Sequence, residues 1–156
     1  MDLELMAKDI MTSPVLSFHT EEPIEQAIST LVQRKIGGAP VVDEQNKVIG
    51  SLENDDLILR DSNIHIPTAI SLLGGVVEWP PSVKHFEDDL RKAFGSKVGE
   101  VMNKDVTTCA PSSSLDQIVN LLHHNKLRRL PVVDKEGKLV GIITRGDLLK
   151  AMISSN

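Results

Sequence analysis

The sequence has few cysteines and few aromatic residues. Cys109 is the only cysteine, so no disulfide can form within the chain, and nothing supports an oxidising compartment. The four aromatic residues are Phe18, Trp79, Phe86 and Phe94. Nucleic-acid binders need a basic footprint and often stack bases on aromatic rings. This composition, with a formal net charge of −5, disfavours that class of partner.

Long apolar runs are also missing. None approaches the roughly 20 residues that a membrane-spanning helix needs. The start Met1-Asp2-Leu3-Glu4 lacks the positive flank of a secretory signal. We therefore expect a cytoplasmic protein with no membrane partner. With 40% hydrophobic and 25% charged residues, 156 positions suit a single sizeable core.

Motifs of catalysis and of metal binding are absent from the sequence. It has no Gly-x-Ser-x-Gly element, no Walker loop and no paired-carboxylate motif. His123 and His124 are adjacent on a predicted helix, so they point in different directions and do not form the i, i+4 pair of zinc sites. We predict neither an enzymatic activity nor a bound metal.

What the sequence does contain is a repeat. Pro40-Val41-Val42-Asp43 returns 91 residues later as Pro131-Val132-Val133-Asp134, and the same offset carries Gly50 onto Gly141. The register has no gap, which indicates two copies of one supersecondary unit. Two copies that face each other form a cleft, so we expect the function to lie between them.

The repeat divides the chain into three parts. We predict a first repeat over 7–61, an inter-repeat segment over 62–96 and a second repeat over 97–153. The inter-repeat segment is apolar from 64 to 79, unlike a solvated linker. Two interpretations stay open. The segment packs on the chain's own core, or it forms a patch that another subunit covers.

Each repeat is predicted to run strand, helix, strand, strand, helix. The entry strands are expected near Val15 to Phe18 and near Val106 to Cys109, and amphipathic helices begin near Ile24 and Leu115. Apolar residues at i, i+3, i+4 and i+7 mark both helices. In the second copy, the spacing of Ser114-x-x-Gln117 predicts a capping box.

Two apolar strands and a final helix complete each unit. The strands are predicted over 39–42 and 48–52, and over 130–133 and 139–143. Asn46 and Gly137 tolerate the left-handed conformation of tight turns, so we predict hairpins. The final helices start near Asn54 and Arg145. The predicted class is α+β, with helices on one face of each unit.

These elements resemble a known family. The tandem pattern of Asp-Ile-Met, an amphipathic helix, Pro-Val-Val-Asp and Gly-x-x-Thr-x-x-Asp is similar to a pair of CBS domains, the cystathionine-β-synthase-type motif. The resemblance covers nearly the whole chain outside 62–96 and is closest in kind to stand-alone CBS proteins. It implies two pseudo-symmetric β-α-β-β-α repeats in one disc-like module, and a homodimer of such modules.

The resemblance also implies a ligand. The cleft between CBS repeats often binds an adenine nucleoside or nucleotide such as AMP, ADP, ATP, S-adenosylmethionine or NAD. The second copy carries the recurring Thr-x-x-Asp motif as Thr144 and Asp147. Asp147 is then implied to hold the ribose, and Thr144 the ribose or a phosphate. A carboxylate acceptor and a hydroxyl at a helix start suit these roles.

A phosphate also needs a cation. Arg129 lies two residues before Pro131, where some nucleotide-binding CBS repeats place an arginine, and Arg128 adjoins it. The planar fork of arginine binds phosphate through two bonds and stays charged. The alternative is that both arginines solvate a helix end and favour its negative dipole. Because Thr144 and Asp147 are also present, we favour the phosphate role.

Family geometry implies that the entry strand of the opposite copy contributes to each site and binds the adenine. For the Asp147 site, these positions are near Met11, Pro14 and Leu16. Backbone groups there would read the adenine edge, with Ile142 and Leu16 as apolar walls.

The first copy departs from this pattern. Glu53 replaces the threonine and two glycines replace the arginines, so only the aspartate is kept, as Asp56. A carboxylate near a phosphate adds repulsion. We therefore expect a weaker second site at Asp56, with Asp105 and Thr107 lent by the second copy.

We predict a non-enzymatic regulatory module that binds an adenine nucleotide, with AMP, ADP or ATP favoured. Binding would change the packing of the module or its affinity for a regulated protein that the sequence does not identify. The alternative is a constitutive interaction adaptor with a vestigial cleft, which docks a partner through the apolar residues around Trp79. The intact Thr144 and Asp147 pair favours the sensor, and the degenerate first copy keeps the adaptor open.

Overall fold

The computed structural model describes residues 4–53 and 96–154. Its helices and short strands follow in the order α1 (Ala7–Ile10), β1 (Phe18–His19), α2 (Ile24–Arg34), β2 (Gly38–Val42), β3 (Val48–Glu53), α3 (Val98–Val101), α4 (Leu115–His124), β4 (Arg129–Val133), β5 (Leu139–Thr144) and α5 (Arg145–Ser154). The predicted α+β class is confirmed. Within these two ranges, no helix is long and apolar enough to cross a membrane.

Helices α2 and α4 begin where the sequence predicts. Each buries one face, and that face carries Ile24, Ala27 and Leu31 in α2 and Ile118 and Leu122 in α4. The start of α4 has the predicted capping box. The Ser114 hydroxyl accepts a hydrogen bond from the Gln117 N–H at 3.3 Å, and the Gln117 side-chain oxygen accepts one from the Ser114 N–H at 3.1 Å. Two N–H groups that lack a helical partner are thereby satisfied.

Both predicted hairpins are present. Strands β1, β2 and β3 are neighbours in that order, and β4 pairs with β5 antiparallel, with Val132 opposite Gly141. The turn residues Asn46 and Gly137 have φ of 62° and 83°, which confirms the left-handed conformation that the sequence predicts for them. Each turn joins the two strands of its hairpin, and β5 ends at Thr144.

The entry strands are shorter than predicted. β1 contains only Phe18 and His19, and its counterpart in the second repeat is a single bridge between Cys109 and Val132. In that bridge the Val133 N–H donates to the Cys109 carbonyl at 2.9 Å. The segment before β1 pairs elsewhere, through two hydrogen bonds between Thr12 and Ile142. The prediction of a strand over 15–18 is wrong except at Phe18.

The contacts within the chain divide it into two compact units, whose bounds differ from those of the repeats. The first contains, of the described residues, 4–17, 42–49 and 105–154, and the second contains 18–41, 50–53 and 96–104. The entry segment of the first repeat therefore belongs to the same unit as the body of the second. The proposed boundaries 7–61 and 97–153 stay predictions, and 62–95 lie outside the described residues.

Each unit has its own apolar core. In the first unit the buried residues are Ala7, Cys109, Ile118, Leu122, Leu130, Val132, Ile143 and Leu148. In the second they include Phe18, Ile24, Ala27, Leu31, Ala39, Val41, Leu52 and Val98. Burial of one face of each helix against a hairpin is the main source of stability for such units. The first unit also positions the start of α5.

Candidate functional site

The Thr-x-x-Asp motif lies at the start of α5. Thr144 is the last residue of β5 and directly precedes the helix, and Asp147 is in its first turn. The Thr144 N–H donates to Asp147 Oδ2 at 2.8 Å, and the Asp147 N–H donates to Thr144 Oγ1 at 3.3 Å. The Thr144 hydroxyl also donates to Asp147 Oδ2 at 2.9 Å. The motif is thus a capping box that fixes both side chains.

One carboxylate oxygen of Asp147 stays available. Oδ2 accepts both hydrogen bonds from Thr144, whereas Oδ1 accepts none from any residue in 4–53 or 96–154. The side chain is half-buried. Oδ1 is therefore a preorganised acceptor, which suits a ligand hydroxyl.

Arg129 lies beside the motif. It opens β4 and is opposite Thr144 in the antiparallel register, so the two residues are nearest cross-strand neighbours. Arg129 is half-buried, and Arg128, which precedes the strand, is exposed. The hairpin thus pairs Arg129, the predicted phosphate-binding residue, with Thr144 of the predicted motif.

The entry segment of the first repeat pairs with β5. The Thr12 N–H donates to the Ile142 carbonyl at 2.8 Å, and the Ile142 N–H donates to the Thr12 carbonyl at 3.0 Å. Met11 lies against Gly141, where an added Cβ would overlap the methionine sulfur. Any larger residue at 141 would therefore force the Met11 side chain to shift. The segment is therefore held against the strand that leads to Thr144.

The positions predicted to bind the adenine differ in whether their backbone groups already form hydrogen bonds. The Met11 N–H donates to the Ala7 carbonyl at 2.9 Å, so it is already used. Pro14 has no N–H and is exposed, and Leu16 is half-buried. Thr12, which sequence reasoning did not single out, is the residue that pairs with Ile142.

In the second unit, the entry segment of the second repeat pairs in the same way with a strand of the first. Asn103 pairs with Ser51 through two hydrogen bonds of 2.8 and 2.9 Å, and Met102 lies against Gly50. Glu53 ends β3 at the position equivalent to Thr144. Asp56 lies outside the described residues, so the predicted weaker site has no described centre. Its predicted neighbours Asp105 and Thr107 are exposed and half-buried, respectively.

A cavity of about 310 Å³ adjoins Asp147. It lies between the N-terminal segment with α1 and the helix α5, and it is lined by Leu5, Asp9, Ile10, Asp147, Lys150, Ala151 and Ser154. Sequence reasoning did not find Lys150 and Ser154. The signal was present, because residues three and seven positions after Asp147 share its helix face.

The described residues also bear on thiol reactivity and on metal binding. Burial raises the pKa of the Cys109 thiol to about 11, so it is a poor nucleophile near neutral pH. Over residues 4–53 and 96–154, no group of three or more His, Cys, Asp or Glu side chains could hold a metal ion.

Comparison with known proteins gives one family. The CBS domain model matches residues 7–63 and 98–154, which together are more than half of the chain. The chain is 32% identical over 155 residues to the uncharacterised protein MJ1426 of Methanocaldococcus jannaschii. The match covers 96% of this chain and 92% of that protein.

Plant relatives are longer than this chain. The chloroplastic CBS domain-containing protein CBSX2 of Arabidopsis thaliana is 32% identical over 149 residues, and the match spans 93% of this chain but 62% of CBSX2. A crystal structure of CBSX2 in complex with AMP is similar with a TM-score of 0.71 and 27% identity, over 96% of both chains.

Proposed function

Because the chain belongs to the CBS domain family, we propose that it is a non-enzymatic regulatory module that binds an adenine nucleotide at the start of α5. Asp147 would hold the ribose hydroxyls through Oδ1, and Arg129 would bind the phosphate. The favoured ligands are AMP, ADP and ATP. No metal is needed for this binding.

The observation that carries the proposal is the arrangement of Thr144, Asp147 and Arg129. The capping box holds the carboxylate in place before any ligand arrives, and the β4–β5 register pairs Arg129 with Thr144 across the hairpin. Preorganised groups lose little entropy on binding. The AMP complex of CBSX2, a protein 27% identical to this chain over 96% of both, supports this choice of ligand.

The same geometry suggests how binding would be transmitted. Thr12 and Met11 connect the entry segment of the first repeat to β5, the strand that ends at Thr144. A ligand that contacts both α5 and this segment binds best to the arrangement in which they are correctly spaced. It would shift the population toward that arrangement, because only differential affinity moves an equilibrium.

A thermal-shift panel tests the proposal. The ligands are AMP, ADP, ATP, S-adenosylmethionine, NAD and cyclic dinucleotides. At a hundredfold excess over its dissociation constant, a ligand adds about 2.7 kcal/mol of stability, and about 2 to 4 °C per kcal/mol is expected for a protein of this size. Arg129→Ala should weaken AMP far more than adenosine. An equal effect on both ligands would contradict the phosphate role.

A second candidate function is a constitutive interaction adaptor. The observation that favours it is the exposed apolar face of α5, where Leu149, Met152 and Ile153 are 61%, 56% and 76% exposed. Apolar side chains grouped in this way are typical of surfaces that another molecule covers. No thermal response to any ligand of the panel would favour the adaptor. In either case we expect a homodimer.

A further inference from the structure

Two methionines occupy equivalent positions in the two repeats. Met11 and Met102 are 91 residues apart, which is the offset of the repeat. The sulfur of Met11 lies where a side chain at position 141 would begin, and an added Cβ at Gly50 would come within 2.6 Å of the Met102 sulfur. Each thioether thus packs directly on the backbone of a strand in the opposite repeat, β5 for Met11 and β3 for Met102.

The surroundings of the Met11 sulfur suit a thioether and disfavour a more polar group. Met11 packs against the apolar core of the first unit. Its own N–H donates to the Ala7 carbonyl, and the N–H groups of Thr12 and Ile142 are used in the two hydrogen bonds that join these residues. An oxygen on the sulfur would compete for these N–H groups or stay without a partner, which is costly in an apolar setting. The strain is relieved when the side chain moves off Gly141 toward water.

The sulfur atoms of the chain differ in how readily an oxidant reaches them. Cys109 is buried, and burial raises the pKa of its thiol to about 11, so little reactive thiolate forms near neutral pH. A thioether has no proton to lose, and Met11 and Met102 are half-buried, so a small peroxide has access to both. Met152 is 56% exposed. Peroxide is therefore expected to oxidise methionine before cysteine.

We propose that Met11 is a site of reversible oxidation, at which a peroxide releases the entry segment of the first repeat from β5 and weakens ligand binding at Thr144. Hydrogen peroxide transfers one oxygen atom to the sulfur, which loses two electrons, while the O–O bond breaks and water leaves. A dithiol-dependent reductase reverses the step, since the oxygen leaves as water and the dithiol becomes a disulfide. Loss of the contact with Gly141 frees Met11 and its neighbour Thr12. The pairing of Thr12 with Ile142 then weakens, two residues before Thr144.

Hydrogen exchange without ligand tests the release itself. After treatment with hydrogen peroxide, peptide mass spectrometry should find an added oxygen at Met11, and the amides of Thr12 and Ile142 should exchange about tenfold faster. Met11→Leu keeps an apolar side chain of similar volume and has no sulfur. Exchange at the two amides of this variant should be the same before and after peroxide. Methionine sulfoxide reductases with dithiothreitol should restore slow exchange in the oxidised, unmodified protein.

The other methionines provide matched controls. By the same geometry, oxidation of Met102 should speed exchange of the Asn103 amide, which donates to the Ser51 carbonyl. Met102→Leu should abolish that response and keep the response at Ile142, and replacement of the exposed Met152 by leucine should keep both. The inference is wrong if Met11 stays unoxidised, if its oxidation leaves exchange unchanged, or if Met11→Leu responds to peroxide as the unmodified protein does.

The effect on the ligand rests on the proposed function and has its own readout. In titration calorimetry, the Kd of the unmodified protein for AMP should rise by about fivefold after peroxide, because the arrangement that binds best is less populated. The Kd of Met11→Leu should stay within about twofold of its value before treatment. Faster exchange with an unchanged Kd would contradict control of the site by oxidation. If the untreated protein binds no AMP, the proposed function fails, whereas the exchange result depends on no ligand.

Discussion

Replacement of Asp147 separates the structural role of its carboxylate from its proposed role in binding. Asp147→Ala removes the hydrogen bonds that Oδ2 accepts from the Thr144 N–H at 2.8 Å and from the Thr144 hydroxyl at 2.9 Å. Loss of such a cap costs about 1 to 2 kcal/mol. For a chain of this length, the melting temperature should fall by about 2 to 8 °C without ligand.

The expected loss of affinity is larger than the loss of stability. A hydrogen bond to a charged acceptor contributes about 1.5 to 3 kcal/mol, and a ribose offers two hydroxyls to the carboxylate. The Kd for AMP should therefore rise at least about a hundredfold in Asp147→Ala. In Asp147→Asn the amide oxygen can still accept the Thr144 N–H. This variant should melt close to the unmodified protein and still bind AMP at least about tenfold more weakly.

Asp134 offers a matched control. Its Oδ1 accepts two backbone N–H groups, from Glu136 and Lys138, each at 2.9 Å, in the turn between β4 and β5. Asp134→Ala should therefore lose stability comparable to that lost in Asp147→Ala and leave the Kd for AMP unchanged. Thermal melts without ligand and titration calorimetry below the lowest melting temperature measure the two effects separately. Unchanged AMP affinity in Asp147→Asn, or equal weakening in Asp134→Ala, would refute the reasoning.

Three other predictions concern packing, ionisation and assembly. Gly141→Ala should cost about 1 to 3 kcal/mol in denaturant unfolding, because its Cβ would overlap the Met11 sulfur, and Met11→Ala should recover part of that loss. Burial raises the pKa of Cys109 from 9.0 to about 11, so above pH 9 the unfolded chain loses the thiol proton more readily than the folded protein. The free energy of unfolding should therefore be full below pH 9 and fall by about 2 kcal/mol as pH rises toward 11. Cys109→Ala should lack this fall. Light scattering should give a homodimer, and Leu149→Glu with Met152→Glu should give a 17.1 kDa monomer if α5 forms the interface; a monomer without these changes would contradict the prediction.

The local elements and the candidate ligand motif were predictable from the sequence. The starts of α2 and α4, the capping box of Ser114, and the left-handed turns at Asn46 and Gly137 all depend on residues a few positions apart. Such short-range preferences depend only on which side chains are close together in the sequence. The same holds for Thr144 and Asp147, whose spacing of three is that of a capping box.

The repeat itself was also visible in the sequence, but its pairing across copies was implied only by the family resemblance, and contacts of the tertiary structure decide it. Two equivalent copies allow an entry segment to pair with its own hairpin or with that of the other copy. The bridge of Thr12 with Ile142 selects the second arrangement in the first unit. That choice depends on contacts between residues 130 positions apart, which no local pattern specifies.

The cavity beside Asp147 has the same origin. The sequence contains Lys150 on the helix face of Asp147, but Leu5, Asp9 and Ile10 face that helix only because α1 packs against α5. Local sequence determined which side chains each element presents. Tertiary packing determined which of them line one space, because burial of apolar surface acts between elements that are distant in the chain.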